Sequence, residues 1–467
     1  MGEDRRDEIP QFGTSGLRGL DQALTDQLVA EYTSVFASLF PHDGTLLIGR
    51  DLRASSPRIA HAVASGATAR GLRIIDCGVL PTPALAMAAI NRGTLAIMVT
   101  GSHIPADRNG LKFFTANGEI TKSDEAWIAS AFAERKSTAL AEPVNESGDA
   151  LEAYASRYTE FWDANALIGL RIGVWEHSSA ARAVLPDILR ALGADVVTLG
   201  RSEMFIAVDT EAIDLDMRSQ LASWVTEHGL DAIVSTDGDA DRPLIADGRG
   251  QVIPGDIIGP IAARALGANR IVTTVTANTL VERMGSFEAV ERCRIGSPFV
   301  IEAMADLGRE IEAKTIGYEP NGGLILGFEV ERSARRLAPL MTRDAILPVI
   351  AVLVAAQKSS LRAQVDDLPN RRTATDRLTD VPRESSVRFI EEVIAGDLRV
   401  LPDKLGQLKN TDTTDGVRMT FSTGVIVTLR ASGNAPELRC YVEADDDFAA
   451  QATLESLIAK LRRALGE

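Results

Sequence analysis

The chain has 467 residues, 45% of them hydrophobic, and a formal net charge of −16. That length predicts about three or four domains, and that charge argues against nucleic acid and anionic membranes as partners. No window approaches the ~18 consecutive apolar residues of a membrane span, and the charged start Met1–Asp7 lacks the apolar region of a secretory signal.

Strand and helix patterns alternate through the first part. Leu46–Gly49 and Leu72–Asp76 read as short buried strands, with an alanine-rich helix over Arg58–Arg70 between them. Leu95–Val99 is a third buried strand, giving a βαβ rhythm. Directly after it comes Thr100-Gly101-Ser102-His103-Ile104-Pro105. Gly101 permits a tight loop and Pro105 blocks helical continuation, so Ser102 is expected at the C-terminal end of a strand, where α/β sheets place ligands. His103 is its neighbour in sequence. Neighbours at i and i+1 do not face each other, so a Ser-His hydrolase pair is not expected. A capping serine in an ordinary turn is the plain alternative. A polar stretch around Ser137–Asp149 closes the first domain, taken as residues 1–150.

The second unit starts near Leu170–Val174. The apolar run Ala232-Ile233-Val234 leads into Asp237-Gly238-Asp239-Ala240-Asp241-Arg242. In a near-extended loop the three carboxylates would face one way. They would repel one another without a cation, and a hard divalent cation such as Mg²⁺ takes oxygen ligands and shares its sphere with substrate phosphate. An EF-hand needs glycine at its sixth position and glutamate at its twelfth; Arg242 and Gly248 stand there. A solvated acidic turn is the remaining plain alternative. Gly255-Asp256 marks the second boundary, so the second domain is taken as 151–255.

The third domain, 256–368, carries expected strands at Ile271–Val275 and Lys314–Gly317 and an apolar helix at Ile346–Gln357. Gly317-Tyr318-Glu319-Pro320-Asn321-Gly322-Gly323 follows the second strand. Its carboxylate and amide suit vicinal sugar hydroxyls, and a plain Asn-Gly turn is the alternative. Asp366–Glu384, polar and with Pro369 and Pro382, reads as a linker. The last domain, 369–467, has a helix at Val387–Ile394, antiparallel strands at Val417–Phe421, Val425–Leu429 and Leu438–Val442, and an amphipathic helix at Phe448–Leu465. Arg430-Ala431-Ser432-Gly433-Asn434-Ala435-Pro436-Glu437-Leu438-Arg439 lies on the turn between two of these strands. Two arginines, a hydroxyl, an amide and glycine N–H groups suit a phosphate clamp, with a polar hairpin as the alternative. No internal repeat is visible. Cys77, Cys293 and Cys440 are far apart and form no metal or disulfide pattern, so a reducing cytoplasm is the expected location.

These four loops together resemble the signature loops of the α-D-phosphohexomutases, in that family's order and over essentially the whole chain. Phe12–Gly19 and Gly49–Ser55 are similar to further motifs of the family. Its bacterial phosphomannomutase/phosphoglucomutase branch has forms similar to GYEPNGG and RASGNAPELRCY. The resemblance implies three similar α/β domains, with mixed sheets and helices on both faces, plus a smaller C-terminal α+β domain around a central cleft. It implies that Ser102 is a phosphoserine and that Asp237, Asp239 and Asp241 bind Mg²⁺ together with a phosphate oxygen on Ser102. Arg242 would lie beside them, Lys112 and His103 would serve the reaction, and Arg18 would line the cleft. Glu319 and Asn321 would read sugar hydroxyls. Arg430, Ser432, Asn434 and Arg439 would hold the phosphate that is not reacting.

The reaction so implied interconverts hexose 1-phosphate and hexose 6-phosphate, of mannose or glucose, through a bisphosphosugar, with hexose 1,6-bisphosphate as activator and a monomer or homodimer as the assembly. The alternatives are a phosphoglucosamine mutase, a metal-dependent sugar phosphatase and a non-catalytic sugar-phosphate sensor. Three positions depart from the family pattern. Gly323 stands where many relatives have an acid/base histidine, for which His177 and His103 are the candidate replacements. Pro298 stands where many have a substrate-contacting lysine, and Ala435 where an acidic residue is frequent.

Overall fold

The computed structural model describes residues 9–135, 137–307, 312–433 and 436–465. Three sheets share one pattern. In the first, Arg73–Val79, Thr45–Arg50 and Leu95–Val99 run parallel, and Arg108–Thr115 and Leu17–Leu20 follow antiparallel. In the second, Asp195–Leu199, Arg171–Trp175 and Ala232–Thr236 are parallel, followed by Pro243–Asp247 and Val252–Ile253 antiparallel. The third repeats this with Ala289–Cys293, Arg270–Thr274 and Thr315–Tyr318, then Leu324–Leu326 and Leu340–Asp344. The first sheet adds Gln11–Phe12 and Asn145–Ser147 at its edges and Gly118–Glu119 beside Arg108–Thr115. The three similar domains that the family resemblance implied thus share a topology, without a visible repeat in sequence.

The pattern fixes where chemistry can occur. The middle strand of each sheet is buried along its whole length (LAIMV, AIVST and TIGY), as strands covered on both faces must be. Each middle strand ends in a loop that turns into an antiparallel partner. Those three loops hold Ser102, the three aspartates, and Glu319 with Asn321.

The fourth sheet is antiparallel throughout, in the order Arg372–Leu378, Leu438–Ala444, Ile426–Ala431, Val417–Phe421, Leu408–Asp412. Helices Arg383–Ile394 and Asp447–Leu465 cover it through Phe389, Ile390, Val393, Leu454, Leu457 and Leu461, which form a core with Val417, Leu429 and Cys440. By contrast, one continuous core runs from Leu47 through Tyr154, Trp162 and Ile172 to Ile257 and Ile350 across the other three sheets.

The expected linker at Asp366–Glu384 is corrected. It contains the edge strand Arg372–Leu378, paired residue for residue with Leu438–Ala444. Only Leu378 in it is buried. Its backbone pairing holds it, and charges such as Asp376 and Arg377 sit on an exposed edge, where charge blocks further pairing.

Asp256 lies in the first turn of the helix Gly255–Ala265 and is 6% exposed. Burial pushes its carboxyl up to about 7, against the pull of the Asn278 N–H. A group raised in this way favours the protonated folded state, so stability is present at low pH and is lost as pH rises from about 4 through 7. Asp256→Asn is expected to raise the melting temperature at pH 8, by the equivalent of about 2–4 kcal/mol, and to leave it nearly unchanged at pH 4. An equal shift at both values would show that the carboxylate carries no such cost.

Candidate active site

Ser102 is fully buried and has a left-handed backbone at φ +54°. Single non-glycine residues hold that conformation only where the surroundings enforce it. The enforcement comes from Arg53. Its guanidinium donates all five N–H groups: Nε to Asp51 (3.2 Å), Nη1 to the carbonyls of Pro105 and Arg108 (2.8 Å to the latter), and Nη2 to those of Ser102 (2.8 Å) and Ile104 (2.6 Å). Asp51 also accepts from Thr100 Oγ1 (2.8 Å), and Thr100 Oγ1 accepts from Ser102 N (2.8 Å). A Cβ on Gly101 would lie 2.6 Å from Arg53 Cζ, so that position needs glycine. Lysine offers three donors and no planar fork. Arg53→Lys is expected to lower kcat by about 10²-fold, the scale of a 1 Å misplacement, with a smaller change in KM. Comparison of the two constants checks it, and an unaltered kcat would remove Arg53 from the positioning of Ser102.

Ser102 Oγ donates to Asp237 Oδ2 at 2.6 Å. It also lies 3.3 Å from His103 Nδ1, which corrects the expectation that the two side chains face apart: the left-handed turn at Ser102 brings them together. His103 is held well below its ordinary range by burial and by Arg242 and Arg18, so it is neutral.

The aspartate loop is a tight turn rather than an extended segment. Asp237 N donates to Arg242 O at 3.0 Å, and Ala240 takes φ +58°. The carboxylates still converge, with candidate ligand oxygens of Asp237, Asp239 and Asp241 all within 4.8 Å of one another. Lys112 Nζ bridges Asp239 Oδ2 (2.6 Å) and Asp241 Oδ2 (2.7 Å). Thr82 Oγ1 donates to Asp239 Oδ2 (2.7 Å), and Arg343 Nη2 to Asp241 Oδ2 (2.7 Å). Asp239 Oδ1 and Asp241 Oδ1 are buried without a hydrogen-bond partner among the described residues. Buried carboxylate oxygens without donors are costly, and a hard cation is what an all-oxygen set of this kind accepts. Burial and the two neighbouring aspartates push Asp237 well above the carboxylate range, while Lys112 and Arg343 hold Asp241 well below it. Arg242 Nε lies 4.0 Å from Asp237 and 3.8 Å from Asp241. Arg18 is near enough to Arg242 and Arg343 that, together with burial, they lower it to about 10.

In the third loop, Glu319 Oε2 accepts from Arg343 Nη1 (2.6 Å) and Oε1 from Gly296 N (3.1 Å). Asn321 Oδ1 accepts from Gly323 N (2.9 Å). A Cβ on Gly323 would lie 2.6 Å from Asp241 O, so the sugar loop and the aspartate loop touch at this glycine. His177, a candidate replacement, is fully buried with Nε2 2.8 Å from Thr236 O. In the fourth loop, Arg430 and Arg439 are direct partners across adjacent strands. Like charges so placed repel, and an anion between them would relieve this. Asp415 accepts from Arg430 Nε at 3.0 Å, Glu437 lies 3.3 Å from Arg439, and Ser432 is 2% exposed with its N donating to Glu437 O at 2.9 Å. Asn434 and Ala435 lie outside the described residues.

Sequence reading missed the roles of Arg53, Thr82 and Arg343. Arg343 carried a signal: in Leu340–Asp344 it is a charged residue in a strand that runs directly into the apolar helix Ile346–Ala356.

Models described as "Phosphoglucomutase/phosphomannomutase, alpha/beta/alpha domain I", "domain II" and "domain III" match residues 10–139, 152–250 and 254–371, and the "C-terminal domain" of the same family matches 377–460. The chain belongs to the α-D-phosphohexomutase family. It is similar to a phosphomannomutase of Sinorhizobium fredii (42% identical, covering 98% of this chain and 99% of the relative) and to one of Salmonella muenchen (40%, covering 97% and 96%). A phosphoglucosamine mutase of Paracoccus denitrificans is 28% identical over 97% of this chain and 99% of its own. A solved putative phosphomannomutase of Thermus thermophilus shares the fold, with a TM-score of 0.79 and 23% identity over 98% of this chain and 99% of that one. This phosphohexomutase is thus a mutase of the isomerase class, and no helix among its described residues is long and apolar enough to cross a membrane.

Proposed function

We propose that this phosphohexomutase interconverts mannose 1-phosphate and mannose 6-phosphate, and accepts the glucose compounds, through a phosphorylated Ser102 and a hexose 1,6-bisphosphate that also serves as activator. The observation that carries the reading is Ser102 Oγ, 2.6 Å from one member of a buried aspartate triad whose other two members each have an oxygen without a donor. The 40–42% relatives over nearly the full chain support mannose.

Charge supports the mechanism. Arg18, Lys112, Arg242 and Arg343 face the carboxyl groups of Asp237, Asp239, Asp241 and Glu319, so the site carries no large excess of either charge before any ligand arrives. A phosphoserine dianion alone would leave it strongly negative. Mg²⁺ held by Asp237, Asp239 and Asp241 with a phosphate oxygen would supply the balancing charge. The chain's own residues do the rest by positioning and electrostatics. Arg53 fixes the loop, so that Ser102 Oγ points to one place. Lys112 and Arg242 keep positive charge beside the group in transfer. Arg430, Ser432 and Arg439 hold the distal phosphate, and Asn434 is assigned there by the family pattern. Because either phosphate of the intermediate must reach Ser102, that clamp has to accept both ends of the sugar, and a fourth domain with its own core suits this. The domain limits at 150, 255 and 368 belong to the same proposal, as does a cytoplasmic location, which the three free cysteines support.

The test is turnover of mannose, glucose and glucosamine 1-phosphates side by side, with Mg²⁺ and trace hexose bisphosphate, following 6-phosphate and free phosphate. Isomerisation of mannose and glucose compounds without phosphate release is expected. Preference for the glucosamine compound would make it a phosphoglucosamine mutase. Stoichiometric free phosphate would make it a phosphatase, and binding without turnover a sensor.

A further inference from the structure

One loop of the second domain touches the site machinery of the first three domains. It joins the strand Asp195–Leu199 to the helix Leu215–His228. Its Phe205 ring lies 4.0 Å from the guanidinium carbon of Arg53, below the Ser102 loop. Its Thr210 Oγ1 donates to Asn321 O at 3.1 Å, in the sugar loop. The next residue, Glu211, places Oε1 3.8 Å from Arg242 Nη1, beside the aspartate loop. Glu319 of the third domain and Arg439 and Tyr441 of the fourth lie within electrostatic reach of the same carboxylate.

Glu211 is the odd charge in this setting. A site for phosphate dianions gains nothing from an extra carboxylate unless the carboxylate accepts something the ligand donates. At 3.8 Å it forms an ion pair with Arg242 but no hydrogen bond, so both of its oxygens keep their capacity to accept one. Among the described residues no donor reaches either of its oxygens, and its side chain is 39% exposed. Glu319, by contrast, already accepts one strong hydrogen bond on each oxygen, from Arg343 and Gly296, and Asn321 Oδ1 is held within its own turn. Glu211 is therefore the carboxylate of this site with both oxygens uncommitted among the described residues, beside Arg242 at the reacting end and within electrostatic reach of Arg439 at the distal clamp. A hexose phosphate held by its two ends presents ring hydroxyls to that middle position.

We propose that Glu211 is a substrate-binding residue that accepts a hydrogen bond from a ring hydroxyl of the bound sugar, and so sets specificity within the hexose phosphates. This rests on the mutase reading above.

The experiment is a ligand cycle. Calorimetric Kd and kcat/KM are measured for a hexose 1-phosphate and its 2-, 3- and 4-deoxy counterparts, in wild type, Glu211→Ala and Glu211→Gln. In wild type, one deoxy compound is expected to bind about tenfold or more weakly, the scale of a hydrogen bond to a charged group. That penalty should fall close to onefold in Glu211→Ala and be intermediate in Glu211→Gln, whose amide oxygen still accepts. A variant that weakens all compounds alike, as loosening of the loop would, overturns the proposal, and so does an unchanged pattern of penalties. Isomerisation is read in the same samples. Coupling in Kd without isomerisation would remove the mutase reading and keep Glu211 as the hydroxyl acceptor. Isomerisation without coupling would do the reverse.

Discussion

Replacing Ser102 by alanine is expected to lower isomerisation by at least about 10⁴-fold, the scale seen when a group that carries the reaction covalently is removed. Hexose phosphate binding should persist, because Arg18, Arg430 and Arg439 are untouched. The reason is geometric. Arg53 and Thr100 fix the backbone at one left-handed conformation, and the nucleophilic atom this delivers to the aspartate triad is Ser102 Oγ. Alanine at φ +54° keeps about the same backbone penalty as serine, roughly 1–2 kcal/mol, so the fold should survive. Ser102→Gly removes that penalty altogether and serves as the control against misfolding. Intact-mass measurement after incubation with hexose bisphosphate should find a phosphate on wild type and none on either variant. Turnover within tenfold of wild type in Ser102→Gly would place the phosphoryl group on another residue.

Much of this was legible in the chain. The buried strand Leu95–Val99 and the glycine and proline around Ser102 predicted an exposed serine at a strand end; the strand and its loop stand where they were expected, but Ser102 itself is fully buried. The alternating aspartates predicted a shared focus, and Asp237, Asp239 and Asp241 share one. The route differed: a turn closed by Asp237 N and Arg242 O does what an extended loop was expected to do. Local pattern registers which residue types lie close in sequence, whereas the turn depends on which backbone groups can pair.

What was illegible is long-range. Lys112 reaches the aspartates across 127 and 129 residues of chain, and Arg343 reaches Asp241 across 102. Nothing in the local sequence of Lys112 distinguishes it from solvated charge, and only the register that sets it opposite Met98 aims it inward. The threefold repeat was hidden for a related reason. Burial and strand order are repeated in the three sheets, and many apolar sequences satisfy the same burial. The edge strand Arg372–Leu378 was missed because its pairing is carried by backbone groups, which composition does not reveal.

Lys112→Met is expected to cost the protein both stability and activity, with the stability recovered in part by Mg²⁺. The side chain is 3% exposed and its ammonium bridges two fully buried aspartates. Burial alone would lower its pKa, yet Asp239 and Asp241 together hold it above the ordinary lysine range, so it stays charged throughout the neutral region and its contribution is lost only as pH rises beyond that range. Methionine fills similar space without charge. Thr82 and Arg343 would then be left to satisfy carboxylates that also carry oxygens without donors. Breaking a buried ion pair on one side costs about 3–5 kcal/mol, which predicts a fall of several degrees in melting temperature in chelator. A divalent cation at the same carboxylates restores the missing positive charge, so saturating Mg²⁺ should shrink the deficit in the variant and raise wild type less. Activity should remain at least about 10²-fold down even with Mg²⁺, because the cation replaces the charge and not the ammonium beside the transferring group. Melting in chelator and in Mg²⁺, for both proteins, separates the two contributions. A variant as stable as wild type in chelator would show that Lys112 does not neutralise the triad, and the charge balance assigned to this site would fall with it.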